Sequence, residues 1–252
     1  MVGVILVSDY DGTLHRGAVS PQDLASVARF RAAGHQFGIA TGRALGFLLE
    51  DLDLHHLEVD FAIGANGGLV KIGDEIERFS LISNDELVRL GLELQAFPVT
   101  WMMPCHGYTY GDRLELDNFT PEALAAHIQA LPQPMGLVVV KNMGELGTAP
   151  VYEWLKENHP GLGYHFNHFN NGVIDITQTG VTKESAIHRL LVEERGVDPD
   201  QIHVIGDSLN DLGMLKTFHG YAITKGHPGI LNQGLPTFDT VSDCIDHLLS
   251  LP

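Results

Sequence analysis

The first hydrophobic stretch of the chain, "VGVILVSD", is continuous and rich in β-branched residues and breaks off at a carboxylate. That is the pattern of a short strand buried on both faces of a parallel sheet. Ser20 and Pro21 make an N-cap and first-turn pair for a helix through "QDLASVARFRAAG", in which Leu24, Val27, Ala28 and Phe30 recur near helical spacing before Gly34 ends it. "HQFGIATGR" reads as a second strand closed by a turn, and the order strand, helix, strand predicts a right-handed βαβ unit in a doubly wound sheet. A third apolar segment, "DFAIGANGG", ends in a Gly/Asn turn, and "LVKIGDEIERF" reads as a hairpin.

Near Leu81 the rhythm changes. From about Ser83 to Thr177 the pattern predicts a helix in "NDELVRLGLELQAF", strands in "PVTWMMP" and "GYTYG", and a helix from Thr120. A strand in "GLVVVKN", a helix in "APVYEWLKENH" and strands in "GYHFNHF" and "GVIDIT" follow. The βα alternation returns at Thr182 with helices in "KESAIHRLLVEERG", "LNDLGMLKTF" and "VSDCIDHLLSL" and strands in "QIHVIGD" and "GYAIT". The expected fold is α/β: a doubly wound, mostly parallel Rossmann-like core over residues 1–82 and 178–252, with an α+β domain inserted over 83–177. "KGHPGILNQGLPTFDT" carries too many Gly and Pro residues to show a period.

Composition narrows the function classes. The chain has 252 residues, 44% hydrophobic and 19% charged, enough for one large domain or for a core of about 150 residues carrying a second unit of about 100. Fifteen basic against 32 acidic residues give a formal charge of −17, which repels nucleic acid and anionic membranes over a Debye length of roughly 8 Å. A small phosphate ester stays compatible, because a bound divalent cation and a few placed Lys and Arg side chains reverse the potential locally. Cys105 and Cys244 form no CxxC, so neither a disulfide framework nor a zinc site is indicated. No signal-peptide pattern and no run of roughly 18 apolar residues occurs, so the expected setting is cytoplasmic, as a monomer or homodimer.

Ligands of an open α/β sheet bind beyond the carboxyl ends of its strands. The first predicted strand delivers Asp9 and Asp11 there, and the second delivers Thr41, with Gly42 and Arg43 in the turn. "QIHVIGD" delivers Asp207 with Asp211 four residues on, and Lys183 starts the preceding helix. Crowded carboxylates repel one another, so a cation is expected among them, and an all-oxygen set with open positions suits Mg²⁺. An ionised carboxylate beside such a cation can attack a phosphorus whose charge the metal and Lys183 partly neutralise. The chemistry that follows is phosphoryl transfer through an aspartyl phosphate.

Four segments in order, "DYDGT" at Asp9–Thr13, "ATGR" at Ala40–Arg43, "GVTKESAI" at Gly180–Ile187 and "GDSLND" at Gly206–Asp211, resemble the signature motifs of the haloacid dehalogenase superfamily. The chain is similar in particular to its Cof-type phosphatases, which carry a large α+β cap between the second and third motifs. The resemblance implies Asp9 as nucleophile and Asp11 as the acid and base that protonates the leaving alkoxide and then activates water, with its backbone carbonyl on the metal. It implies Thr41, Gly42, Arg43, Lys183 and Asn210 around the phosphoryl group, and Asp9, Asp11, Asp207 and Asp211 around Mg²⁺. Asn66 matches an Asn-Gly pair common in the family, with no role attached. Tyr10 stands where Leu is commoner, and strand alternation points it away from the acids.

The expected activity is hydrolysis of a small phosphorylated metabolite, a sugar phosphate by family analogy alone. A phosphomutase or phosphotransferase would use the same motifs, and a receiver-type signalling domain would share the clustered acids, hydroxyl and lysine. The latter is about half this length and keeps its acceptor on another strand. Among other features, His55 and His56 read as a solvated helix end, and Trp101, Met102 and Met103 as core of the inserted domain. The alternation in "YHFNHFNN" suggests a face lining a pocket.

Overall fold

A computed structural model describes residues 3–79, 82–105, 110–131, 137–142, 148–166 and 172–251. The first half-core runs β1 (Ile5–Ser8), α1 (Pro21–Ala32), β2 (Gln36–Ala40), α2 (Leu45–Leu54), β3 (Phe61–Gly64), β4 (Leu69–Ile72) and β5 (Glu75–Arg78). The inserted segment holds α3 (Asn84–Leu94), β6 (Val99–Cys105), β7 (Leu114–Glu115), α4 (Pro121–Gln129), β8 (Leu137–Asn142), α5 (Ala149–Asn158), β9 (Leu162–Phe166) and β10 (Val173–Gln178). The chain closes with α6 (Lys183–Ile187), β11 (Ile202–Gly206), α7 (Leu212–Thr217), β12 (His219–Ile223), α8 (Pro228–Leu231), β13 (Thr237–Phe238) and α9 (Val241–Ser250).

Among the described residues the core strands form one sheet in the order β13-β12-β11-β1-β2-β3-β4-β5. Strands β13 through β3 are parallel, and β4 and β5 add an antiparallel edge. The β1 strand sits between β11 and β2, so the connections run outward in both directions from it, and the crevice at its carboxyl end is the switch point where such sheets bind ligands.

The β1 side chains alternate in where they are buried. Leu6 packs with Phe30, Leu45, Leu48 and Ile245 beneath α1, α2 and α9, while Ile5 and Val7 pack with Ile187, Leu190, Val204 and Leu215 on the other face. This burial on both faces explains why the strand reads as an uninterrupted apolar run. Gly38 in β2 is required by its neighbour, since a Cβ there would lie 2.2 Å from the Phe61 ring. Ser20 caps α1 by accepting from the Asp23 N–H at 3.0 Å, as the sequence predicts.

Three features depart from the sequence reading. Of helix α2 the sequence showed only the end, at His55 and His56, and its N-cap position, Ala44, makes no side-chain cap. The helix begun at Lys183 changes to π-type turns over residues 188–194. The Gly/Pro-rich tail contains α8 and the edge strand β13. The strand expected in "GYTYG" falls mostly on residues 106–109, and part of "GYHFNHF" on 167–171, outside the described residues.

The inserted strands form an antiparallel sheet in the order β7-β6-β8-β10-β9. Its alternation divides the side chains cleanly. Met102, Val138, Val140, Ile174 and Ile176 face α3, α4 and α5 and pack with Leu87, Leu90, Leu124 and Leu155. Trp101, Met103, Val139 and Val173 lie on the opposite face and join the cluster of the core. Of the three residues expected in the inserted domain's own core, only Met102 is there.

Candidate active site

The strand ends bring the sequence-predicted acids together. The Asp9 backbone N–H still donates to Ile205 O at 2.9 Å, so the first residue past β1 remains held in sheet register. The carboxylates of Asp9, Asp207 and Asp211 offer oxygens that all lie within 4.8 Å of one another, and each residue is buried. Lys183 enters the group from the first turn of α6, where Thr182 caps the helix through reciprocal bonds with Ser185 of 3.0 and 2.9 Å. The Lys183 ammonium donates to Asp9 Oδ1 at 2.5 Å and to Asp211 Oδ1 at 2.7 Å.

Electrostatics follow from burial. Desolvation, then the Asp211 charge, holds the Asp9 carboxyl well above the usual aspartate range, with Lys183 opposing. Burial raises Asp207 as well, against the hydrogen bond from Thr13. Burial alone would lower Lys183, but the charges of Asp211 and Asp9 outweigh it and raise it. The cluster is therefore short of positive charge.

The acids differ in how they are satisfied. Asp211 takes the N–H groups of Asp207 and Ser208 on Oδ2, at 3.0 and 2.9 Å, and Lys183 on Oδ1, so it binds the loop after β11 to the lysine. Gly206 leaves room for it, because a Cβ there would sit 2.7 Å from the Asp211 side chain. Asp207 accepts from Thr13 Oγ1 at 2.6 Å on Oδ1, while its buried Oδ2 has no hydrogen-bond partner among the described residues. Gly12, at φ +87°, packs against that carboxylate, and a Cβ would come within 2.6 Å of Oδ2. An orphaned buried carboxylate oxygen beside two further carboxylates fits a hard, oxygen-seeking cation such as Mg²⁺.

Thr41 is buried at the end of β2 with its N–H on Ile63 O at 2.9 Å, and its hydroxyl accepts from the Arg43 N–H at 3.2 Å. The Asp11 carboxylate stands apart from the cluster. Arg43 holds it in a bidentate pair, with Nε and one terminal nitrogen each 2.6 Å from an Asp11 oxygen. The other terminal nitrogen of Arg43 donates to Asp51 of α2, and the guanidinium lies 4.9 Å from the centre of the buried Tyr10 ring. Arg43, expected at the phosphoryl group, is thus committed to two carboxylates.

Asn210 donates to Asn66 Oδ1 at 3.2 Å, and Asn66 Nδ2 donates to Asp175 Oδ2 at 3.0 Å. Asn66 and Ala65 both have φ near +50°, in a turn between β3 and β4 where Gly67 passes against Thr182 O. Such left-handed conformations cost about 1 kcal/mol or more per residue and gather at functional sites. Asp175 was not among the candidates. Burial pushes its carboxyl up to about 7, against the Asn66 hydrogen bond and the Lys183 charge. The signal was in "GVIDIT": Ile174 and Ile176 face the inserted helices, which leaves Asp175 on the opposite face.

Asp9, Thr41 and Arg43 on one side, and Trp101, Tyr110 and Asp175 on the other, enclose a cavity of about 560 Å³. A cavity of about 450 Å³ near Leu52, His56 and Lys71 shares no residue with it.

Against known proteins, the family model for haloacid dehalogenase-like hydrolases matches residues 6–242. The chain belongs to this family. It is an enzyme of the hydrolase type, and the four motifs quoted above lie within the matched residues. No functionally curated protein matches the chain in sequence. In fold this hydrolase is similar to a HAD subclass IIB sugar phosphatase, at 17% identity and a TM-score of 0.77 over 97% of this chain and 98% of that one. It is similar also to a HAD/COF-like hydrolase from Plasmodium vivax, at 18% identity and 0.81 over 99% and 96%. A phosphatase of the same superfamily from Bacteroides thetaiotaomicron gives 20% identity and 0.74 over 98% and 94%. Among the described residues of the hydrolase no helix is long and apolar enough to cross a membrane.

Proposed function

We propose that this hydrolase is a Mg²⁺-dependent phosphatase that cleaves a small phosphate monoester through an aspartyl phosphate on Asp9. The observation that carries the reading is the buried Asp9 carboxylate on the cavity wall, 2.5 Å from Lys183 and beside the orphaned Asp207 oxygen. Asp9, Asp207 and the Asp11 backbone carbonyl are the metal-holding groups, with Asp211 supporting them. The bound ion would supply positive charge that keeps Asp9 ionised and offsets charge on the phosphoryl oxygens.

An Asp9 oxygen attacks phosphorus while the bond from phosphorus to the ester oxygen breaks. The proton for the leaving alkoxide comes from Asp11, which must leave its Arg43 pair and take up a proton from solvent before it can serve as the acid. Thr41 and Lys183 hold the phosphoryl oxygens. Asp11, now a carboxylate, takes a proton from water, whose oxygen attacks the acyl phosphate and frees Asp9 and inorganic phosphate. The inserted domain acts as a cap that excludes bulk water and meets the leaving group. A sugar phosphate is of a size to fit the cavity of about 560 Å³.

The test is inorganic phosphate release from p-nitrophenyl phosphate with Mg²⁺ and with chelator. Release should stop with chelator and fall by about a thousandfold or more in Asp9→Asn, whose fold persists by circular dichroism. Comparable release from the variant would sink the nucleophile assignment, and release indifferent to chelator would sink the metal. Transfer of phosphate to an added alcohol in place of water would mark a phosphotransferase.

A further inference from the structure

We propose that Lys141 binds a second anionic group on the substrate, so that the hydrolase prefers phosphate monoesters whose leaving group carries a carboxylate or another phosphate. This deepens the phosphatase reading and rests on it.

The inference starts from the charges around the cavity. Arg43 is occupied by Asp11 and Asp51, and Lys183 by Asp9 and Asp211. Lys141 lines the same cavity, half-buried, and its ammonium has no hydrogen-bond or ion-pair partner among the described residues. In a protein of formal charge −17, a half-buried lysine beside clustered acids with none of them bonded to it has its charge available for a ligand.

Its placement is fixed by strand register. Lys141 in β8 lies between Trp101 of β6 and Val173 of β10, which are its direct cross-strand partners. These apolar neighbours flank its aliphatic stem and leave the charged end to the cavity. Asp175 pairs with Val139, so Lys141 stands one diagonal step from it, roughly 7–8 Å between backbones. Asp175 Oδ2 in turn lies 3.3 Å from where a Gly42 Cβ would be, directly over the Thr41–Gly42 turn. Asp175 therefore meets the part of the substrate next to the ester, where its carboxyl suits a hydroxyl. Lys141 meets the part beyond it. The rest of this face, Trp101, Met103, Val139 and Val173, offers no comparable anchor for a charged group.

The test compares matched esters that differ only in the second anion: glycerol 3-phosphate with 3-phosphoglycerate, and glucitol 6-phosphate with 6-phosphogluconate. Wild type, Lys141→Met and Lys141→Arg are assayed with Mg²⁺ at constant ionic strength. In the wild type, kcat/KM should favour the anionic member of a pair, and Lys141→Met should reduce that preference by about 10- to 100-fold, the worth of a charge-assisted hydrogen bond. The loss should fall mainly on KM, since this contact forms with substrate and transition state alike, and Lys141→Arg should restore most of it. Equal kcat/KM for both members in the wild type, or a preference that survives Lys141→Met, overturns the proposal while leaving the phosphatase reading standing. No phosphate release from any of these esters or from p-nitrophenyl phosphate overturns both.

Discussion

Removing the Lys183 charge should destabilise the metal-free enzyme, and removing one of its acid partners as well should restore much of the loss. The ammonium is 2.5 Å from Asp9 and 2.7 Å from Asp211, and Lys183 is only 2% exposed. At an effective dielectric of about 20, each contact carries roughly 6–7 kcal/mol of attraction, most of it offset by the desolvation of the ions. Lys183→Met leaves Asp9, Asp207 and Asp211 buried together without a protein cation, and breaking a buried pair of this kind costs about 3–5 kcal/mol. For a chain of this size that lowers Tm by roughly 6–20 °C. Asp9→Asn removes the acid that burial and Asp211 already hold far above its ordinary range, so it should raise Tm slightly on its own. In Lys183→Met it should recover about half of the loss or more. The assay is a thermal-melt double-mutant cycle at pH 8 with chelator present, so that no added ion replaces the lysine. A drop of less than about 1 kcal/mol in Lys183→Met, or losses that simply add in the double variant, would refute this account of the cluster.

Two further outcomes follow from the same geometry. Gly12→Ala places a Cβ 2.6 Å from Asp207 Oδ2 at φ +87°, so Mg²⁺ affinity measured by calorimetry should fall at least tenfold, and a variant that binds as the wild type does contradicts the fit of the ion there. Asp175, raised to about 7, keeps its proton in the folded state while an unfolded aspartate loses it near pH 4. Its contribution to stability is therefore fully present below about pH 4, declines as pH rises towards 7 and stays lost above that. Asp175→Asn removes this dependence, so its stability relative to the wild type should rise between pH 5 and 8 by about 2–3 kcal/mol; a constant difference would refute the assignment.

What could be read from the sequence depended on how locally each feature is determined. Asp9 and Asp207 were legible because each follows a strand whose burial on both faces writes a mainly apolar run, so the strand end could be placed from the residues alone, and Lys183 because it opens the helix that precedes the second of these strands. Lys141 and Asp175 were not. Both faces of the inserted sheet are mainly apolar, one against its own helices and one against the core, and only the docking of the sheet determines which face meets the acids. The same ambiguity misplaced Trp101 and Met103, since "WMM" offers three apolar neighbours and strand alternation separates them.

Arg43 shows how an element read only at its end propagates. Its position in the turn after β2 was evident, and the resemblance to the haloacid dehalogenase motifs implied a place at the phosphoryl group. One of its two carboxylate partners comes from α2, whose N-cap position is Ala44 and not the Ser, Thr, Asp or Asn that announces a helix. That helix brings Asp51 to within hydrogen-bond reach of Arg43, eight residues back along the chain, and also of the Tyr10 hydroxyl at 3.4 Å. With one side of the guanidinium fixed on Asp51 and its face over Tyr10, the remaining Nε edge is the one turned to Asp11, and a bidentate pair follows from the fork geometry. The orientation of the proposed acid and base is thus determined by a helix that carries no catalytic residue.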